Sequence, residues 1–186
     1  MKKIITLSFV ILMSAIAISA QGTWLDAKTV KNWNKAAQTV PSAPKAENGM
    51  QAQCNKSDRP ATLAVDKLMT AKGWHLIGSA QVFGKYTIVE AAAGFDGMCR
   101  PEEFNAYVFS GTTLIGTLAP KSMGARSDGS LSTYMLNSDG YIYAEYVRYT
   151  DSDALCCPSR TTNLSFTIAG NMMKPGEANT VKNPEQ

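Results

Sequence analysis

From Trp74 to Ala169 the chain runs with a period of two, and short turn signals interrupt it every several residues. Successive side chains on a strand point to opposite faces, so this pattern commits most of the chain to half-buried strands joined by tight turns. The stretch "SAQVFGKYTIVEAAA" is rich in β-branched and aromatic residues, and "NAYVFSGTTLIGTLA" reads as two strands turning at Ser110, Gly111 and Thr112. "SLSTYMLN" and "YIYAEYVRYT" flank Ser138, Asp139 and Gly140, where Asp-Gly is a strong hairpin signal. In "TTNLSFTIA", Leu164, Phe166 and Ile168 share one face while Asn163, Ser165 and Thr167 share the other, which predicts one buried and one wet face.

Ahead of this region, "PATLAVDKLMTAKG" places Ala61, Val65, Leu68 and Met69 on one helical face. Ser57 and Asp58 are in position to cap that helix, Pro60 suits its first turn, and Gly73 suits its end. The expected fold class is therefore α+β: one N-terminal helix packed on an antiparallel β-meander of about six strands, stapled by two disulfides. The domain is expected to span residues 54–169. Residues 21–53 read as a leader and linker. Leu25, Val30, Trp33 and Ala37 have a spacing that allows a short helix there, and "PSAPKAENGMQAQ" has no periodicity. This leader is expected to be dispensable for folding, and residues 170–186 are expected to form a disordered tail.

The chain opens "MKKIITLSFVILMSAIAISAQG", in which two lysines precede an apolar run from Ile4 to Ile18 that ends in small residues. That is the pattern of a signal peptide over residues 1–20, and the run is shorter than the roughly 20 residues that span a bilayer. No membrane span is expected after cleavage. Removing Lys2 and Lys3 leaves 16 basic against 15 acidic side chains, a balance that argues against a nucleic-acid partner.

Cys54, Cys99, Cys156 and Cys157 are the only cysteines, and all lie in the exported part. An even count in an oxidising compartment implies two disulfides, and four cysteines allow three pairings. One of these joins the neighbours Cys156 and Cys157 in a rare eight-membered ring. In the other two, the neighbours point to opposite sides of an extended segment and reach separately to Cys54 and Cys99. Each long closure is worth roughly 4 to 5 kcal/mol in the chain-entropy model, so reduction is expected to lower the melting temperature by several degrees. A redox dithiol is disfavoured, because "LCCPS" lacks the Cys-x-x-Cys spacing and a following helix.

Few residues suggest chemistry. His75 is the sole histidine, which leaves no zinc site and, with no Gly-x-Ser-x-Gly elbow, no marked nucleophile. The carboxylate pairs Glu102 with Glu103 and Asp151 with Asp153 fall in loops and read as solvated turn charge rather than as a hydrolytic or calcium pair. No catalytic residue, cofactor or metal is expected. Tyr141, Tyr143 and Tyr149 share a parity with Glu145 and form the candidate binding surface, since tyrosine serves both binding faces and cross-strand packing. Asn55 and Asn163 head glycosylation sequons.

"YTDSDALCCPSRTTNLSFTI", together with "YVFSGTTLIGTLA", resembles the LppP/LprE family of exported bacterial proteins over about residues 60–168. The resemblance implies a cell-envelope setting and transfers no catalytic residues. Members of that name are lipoproteins, but Gln21 stands here where a lipid-bearing cysteine would follow the cleavage site, which favours a periplasmic or secreted protein. The expected function is non-catalytic binding of a protein or envelope component. The alternatives are a hydrolase using loop carboxylates and, further down, a thiol-disulfide redox protein.

Overall fold

The structure, a computed structural model, describes residues 23–27, 29–46, 52–138 and 140–184. The expected signal peptide, Gln21 and the hairpin residue Asp139 lie outside the described residues. Among the described residues, ten strands form three antiparallel sheets. β1 (His75–Phe83), β2 (Tyr86–Ala92), β5 (Asn105–Ser110) and β6 (Thr113–Thr117) make the first sheet in the order β1-β2-β5-β6. β3 (Gly94–Phe95) and β4 (Pro101–Glu102) pair in the crossover from β2 to β5. β7 (Ser130–Ser138), β8 (Tyr141–Arg148), β9 (Arg160–Ala169) and β10 (Met172–Lys182) form the second sheet as a meander.

The α+β expectation of one helix on a six-strand meander is therefore wrong: the protein is mostly β, and its only α-helix among the described residues is α1 (Ala64–Thr70). Antiparallel alternation does not reveal where a meander divides. Here the segment from Leu118 to Gly129 carries the chain from one sheet to the other, and the inner faces pack together instead of leaving one long twisted sheet. Ile77, Ile88, Ala106, Val108 and Ile115 of the first sheet meet Leu136, Ile142, Ala144, Leu164, Phe166 and Met173 of the second in one core.

The far face of the first sheet is buried as well. Leu76, Val89, Ala91, Tyr107, Phe109 and Leu114 pack against Val65 and Met69 of α1, with Trp74, Val40 and Ala43 completing the layer. Helix α1 starts at Ala64 rather than near Pro60 because the cap is Asp66. Its buried carboxylate accepts from the Thr62 and Leu63 amides at 3.0 and 2.8 Å and binds Arg59 at 2.6 and 2.8 Å. Asp58, expected as a cap, instead accepts from the Leu76 amide at 3.0 Å and faces His75 Nδ1 at 3.0 Å.

The leader and tail also depart from expectation. Thr29 bridges to Glu177 of β10 and Gln38 to Leu114 of β6, so the leader lies along the seam where the two sheets meet. Trp33 Nε1 donates to the Thr117 carbonyl at 3.1 Å, and the Asn34 side-chain Oδ1 accepts from the Thr117 amide at 2.9 Å. A Cβ at Gly116 would stand 2.5 Å from Asn34 Oδ1, so only glycine lets the leader lie this close to β6. Within the segment 170–186 expected to be disordered, Met172–Lys182 form β10, whose Met173 is fully buried. Sequence patterning missed both segments because each contributes only a few buried side chains, and those count only once the neighbouring edge exists. At the opposite seam, Gln81 of β1 donates to the Tyr134 carbonyl at 2.8 Å and accepts from the Leu136 amide at 2.7 Å, joining β1 to β7.

The disulfides follow a different pairing from the one expected. Cys54 bonds to Cys99, with Cα atoms 5.2 Å apart, while Cys156 and Cys157 bond to each other. One long-range staple holds the fold. The neighbours sit in a turn, where the Cys157 amide donates to the Ala154 carbonyl at 2.9 Å, and not in an extended segment that would aim them at separate partners.

Candidate functional site

The second sheet has one uncovered face. Along β8, Ile142, Ala144, Tyr146 and Arg148 turn inward, which leaves Tyr141, Tyr143, Glu145 and Val147 outward. The register sets Met135 beside Tyr143 and Ser165, and Tyr141 beside Thr167 and then Lys174. Met135 is 57% exposed and Tyr141 39% exposed, and Met172 adds a third exposed apolar side chain near the β9–β10 turn. The Tyr143 hydroxyl lies 2.8 Å from both Glu145 Oε1 and Asn163 Oδ1, which fixes the ring on the sheet. Burial, and then the bond to Glu145, raise the pKa of that hydroxyl. The face thus combines aromatic and thioether groups with Ser, Thr and Asn, a mixture able to make apolar contact and directed hydrogen bonds at once. Asn163, the second sequon residue, takes part in this packing.

Tyr149 does not join the other two tyrosines. It lies one residue past β8, its amide donates to Asp128 at 2.7 Å and its hydroxyl donates to the Leu155 carbonyl at 3.1 Å. It belongs to the loop from Tyr149 to Ser159 that carries Cys156 and Cys157. Beneath it, Arg148 is 2% exposed and is held by Asp26 at 2.5 Å, Asp128 at 2.9 Å and Thr162 at 3.1 Å, tying leader, loop and sheet together.

The carboxylate pairs do not converge. Asp153 accepts from the Thr150 amide and hydroxyl and from the Ser159 amide and hydroxyl, at 2.7 to 3.0 Å. Those bonds, led by the one from the Thr150 hydroxyl, hold its carboxyl well below the usual carboxylate range. Asp151 is an exposed turn residue. Glu103 accepts a hydrogen bond from Ser122, while Glu102 lies in β4 with its carbonyl accepting from the Ala93 amide at 3.1 Å. His75 and Asp58 form a pair at the edge of β1, with the imidazole 6.1 Å from the Phe95 ring. Among the described residues, no group of three or more His, Cys, Asp and Glu is arranged to hold a metal ion.

Two features escaped the sequence. Trp24 and Trp33 meet edge to face at 5.0 Å and, with Val30 and Pro120, line an apolar groove of about 300 Å³. A wider cleft of about 540 Å³ continues from Trp24 and Pro120 to Lys121, Ser127 and Asp128. Two tryptophans within ten residues of an otherwise polar leader were the available signal. The other feature is Glu90, which points from β2 into the space between the sheets, where burial pushes its pKa up from 4.5 to about 7 against the opposing hydrogen bond from Tyr134. Its alternation with Ile88 and Ala92 was visible, but the second sheet above it was not.

The sequence model of the LppP/LprE lipoprotein family matches residues 86–171, which bears out the family read from the sequence. The match runs from β2 to the end of β9, includes the Cys156–Cys157 loop and leaves out the leader, α1, β1 and β10. No curated protein and no solved structure matches the chain. The family is envelope-associated, and no helix among the described residues is long and apolar enough to cross a membrane.

Proposed function

We propose that this chain, LppP/LprE-like across residues 86–171, is a non-catalytic binding domain of the cell envelope, periplasmic or secreted, and that its partner is another protein. The observation that carries this reading is the uncovered face of the second sheet, on which Tyr141 and Met135 stand exposed around a Tyr143 anchored by Glu145 and Asn163. A flat face suits a protein surface better than a small ligand, which concave pockets enclose. An aromatic held in place before contact loses little side-chain entropy on binding, which is what makes tyrosines effective anchors. Scattered carboxylates and a lone His–Asp pair give the hydrolase alternative no comparable support.

Cross-linking of the tagged protein in its own cells, followed by mass spectrometry of cross-linked peptides, tests this. One dominant envelope protein linked through Lys174 on this face, and lost in a Tyr141→Ser, Met135→Ser double variant, is the expected result. Links confined to the Trp24 and Pro120 groove, or capture unchanged in the double variant, overturn the assignment of the face.

A further inference from the structure

The Cys156–Cys157 bond has none of the attributes of a staple. A bridge between neighbours encloses no intervening chain, so it removes essentially no loop entropy from the unfolded state. The loop that carries it is closed by other means, since Asp153 ties its two stems at Thr150 and Ser159. At the tip, Cys156 is exposed and Cys157 half-buried, while Leu155 beside them is 64% exposed. The other disulfide is the reverse, with Cys54 wholly buried and 45 residues of separation.

We infer that Cys156–Cys157 is a reversible redox site that exchanges two electrons with a dithiol, small or protein-borne. A thiolate of the donor attacks the accessible Sγ of Cys156, a mixed disulfide forms, and the sulfur of Cys157 leaves as a thiolate. The second thiol of the donor then attacks its own sulfur in the mixed disulfide and releases Cys156. Two electrons and two protons pass to the protein, and the donor is left as a disulfide. An exposed disulfide that holds nothing together is the kind that exchanges readily, whereas a buried structural one resists. Opening the bond releases the tip from Ala154 to Pro158, including the Leu155 carbonyl that accepts from Tyr149, so the redox state of the pair governs whether the Tyr149 ring stays tied to the loop. The clasp at Asp153 and the Arg148 cluster remain, and the fold persists in both states.

The test is graded reduction of the purified protein with dithiothreitol, alkylation at each step, and quantitation of each cysteine by peptide mass spectrometry. Phenylarsine oxide, which needs two nearby thiols, is the second probe. The expected outcome is that Cys156 and Cys157 are labelled together at a reductant concentration at least about tenfold lower than Cys54 and Cys99. At that point the protein binds one equivalent of phenylarsine oxide and keeps its cooperative melt, and the backbone resonances of Tyr149 and Leu155 shift while those of Ile142 to Tyr146 do not. A Cys156→Ser, Cys157→Ser double variant should melt like the native protein and lose arsenical binding. The inference is overturned if the pair needs reduction as harsh as Cys54–Cys99, if reduction leaves Tyr149 and Leu155 unmoved, or if either neighbour is found bonded to Cys54 or Cys99.

Discussion

The sheet β1-β2-β5-β6 is covered on both faces, by the second sheet on one side and by α1 with the leader on the other, whereas the sheet from β7 to β10 has one face in water. In β5 five consecutive residues from Asn105 to Phe109 are buried, while β8 alternates strictly. The first sheet thus has buried side chains on both faces, while the second leaves one face of its strands open to solvent, the face proposed above to bind. The two disulfides divide along the same line: the buried one holds the 3-10 turn Ala52–Ser57 to the β3–β4 crossover beside the first sheet, and the exposed one lies in a loop of the second.

The harshest challenge to this contrast is to uncover the first sheet. Deleting residues 23–46 removes Trp33, Asn34, Val40 and Ala43 from the β6 edge and the outer layer, and is expected to abolish the cooperative thermal transition. A retained sharp melt would mean that the first sheet does not need its second cover. Next in size is the Cys54→Ser, Cys99→Ser double variant. A closure with a separation of 45 residues is worth about 4 kcal/mol in the chain-entropy model, so urea unfolding should show a loss of that order. Equal losses from this variant and the Cys156→Ser, Cys157→Ser variant would erase the distinction between the bonds.

Glu90 probes the layer between the sheets. Its folded-state pKa, raised to about 7 from 4.5, means that the native state holds the proton more tightly than the unfolded chain does. The stabilisation is whole below pH 4.5 and is lost as pH rises through 7, at most about 3.5 kcal/mol at roughly 1.4 kcal/mol per pH unit. Stability measured from pH 4.5 to 8 should fall with this slope added to that of the remaining groups, and Glu90→Gln should remove that component. An unchanged profile in the variant would place the carboxyl in contact with water. The smallest effect belongs to the wet face, where Tyr141→Ala should change unfolding free energy by less than about 0.5 kcal/mol. A loss above 1 kcal/mol would make that side chain part of the packing.

Strand identity was legible wherever one face is buried. The β8–β9 register and the inward set Leu164 and Phe166 follow directly from alternation, and the hairpin around Gly140 follows from its turn residues. The helix was legible in existence but not in its cap, because Asp66 acts from the third helical position and its partner Arg59 is outside any local capping pattern. Of the candidate site, Tyr141 and Tyr143 were placed on one face by parity alone. Parity could not separate Tyr149 from them, since the strand ends at Arg148, where the side chain turns into the Asp26, Asp128 and Thr162 cluster.

The sequence by itself determined the antiparallel strands from Trp74 onward, the polarity of each strand's faces, and the resemblance to the LppP/LprE family over residues 86–171, because each rests on local pattern within a few tens of residues. Only the tertiary structure decided that the strands divide into two packed sheets, that the leader and residues 172–182 complete them, and that Cys156 pairs with its neighbour. Those outcomes depend on which distant edges and faces lie within a few ångströms of one another. That proximity is set by the burial of all faces together, and no single segment's periodicity encodes it.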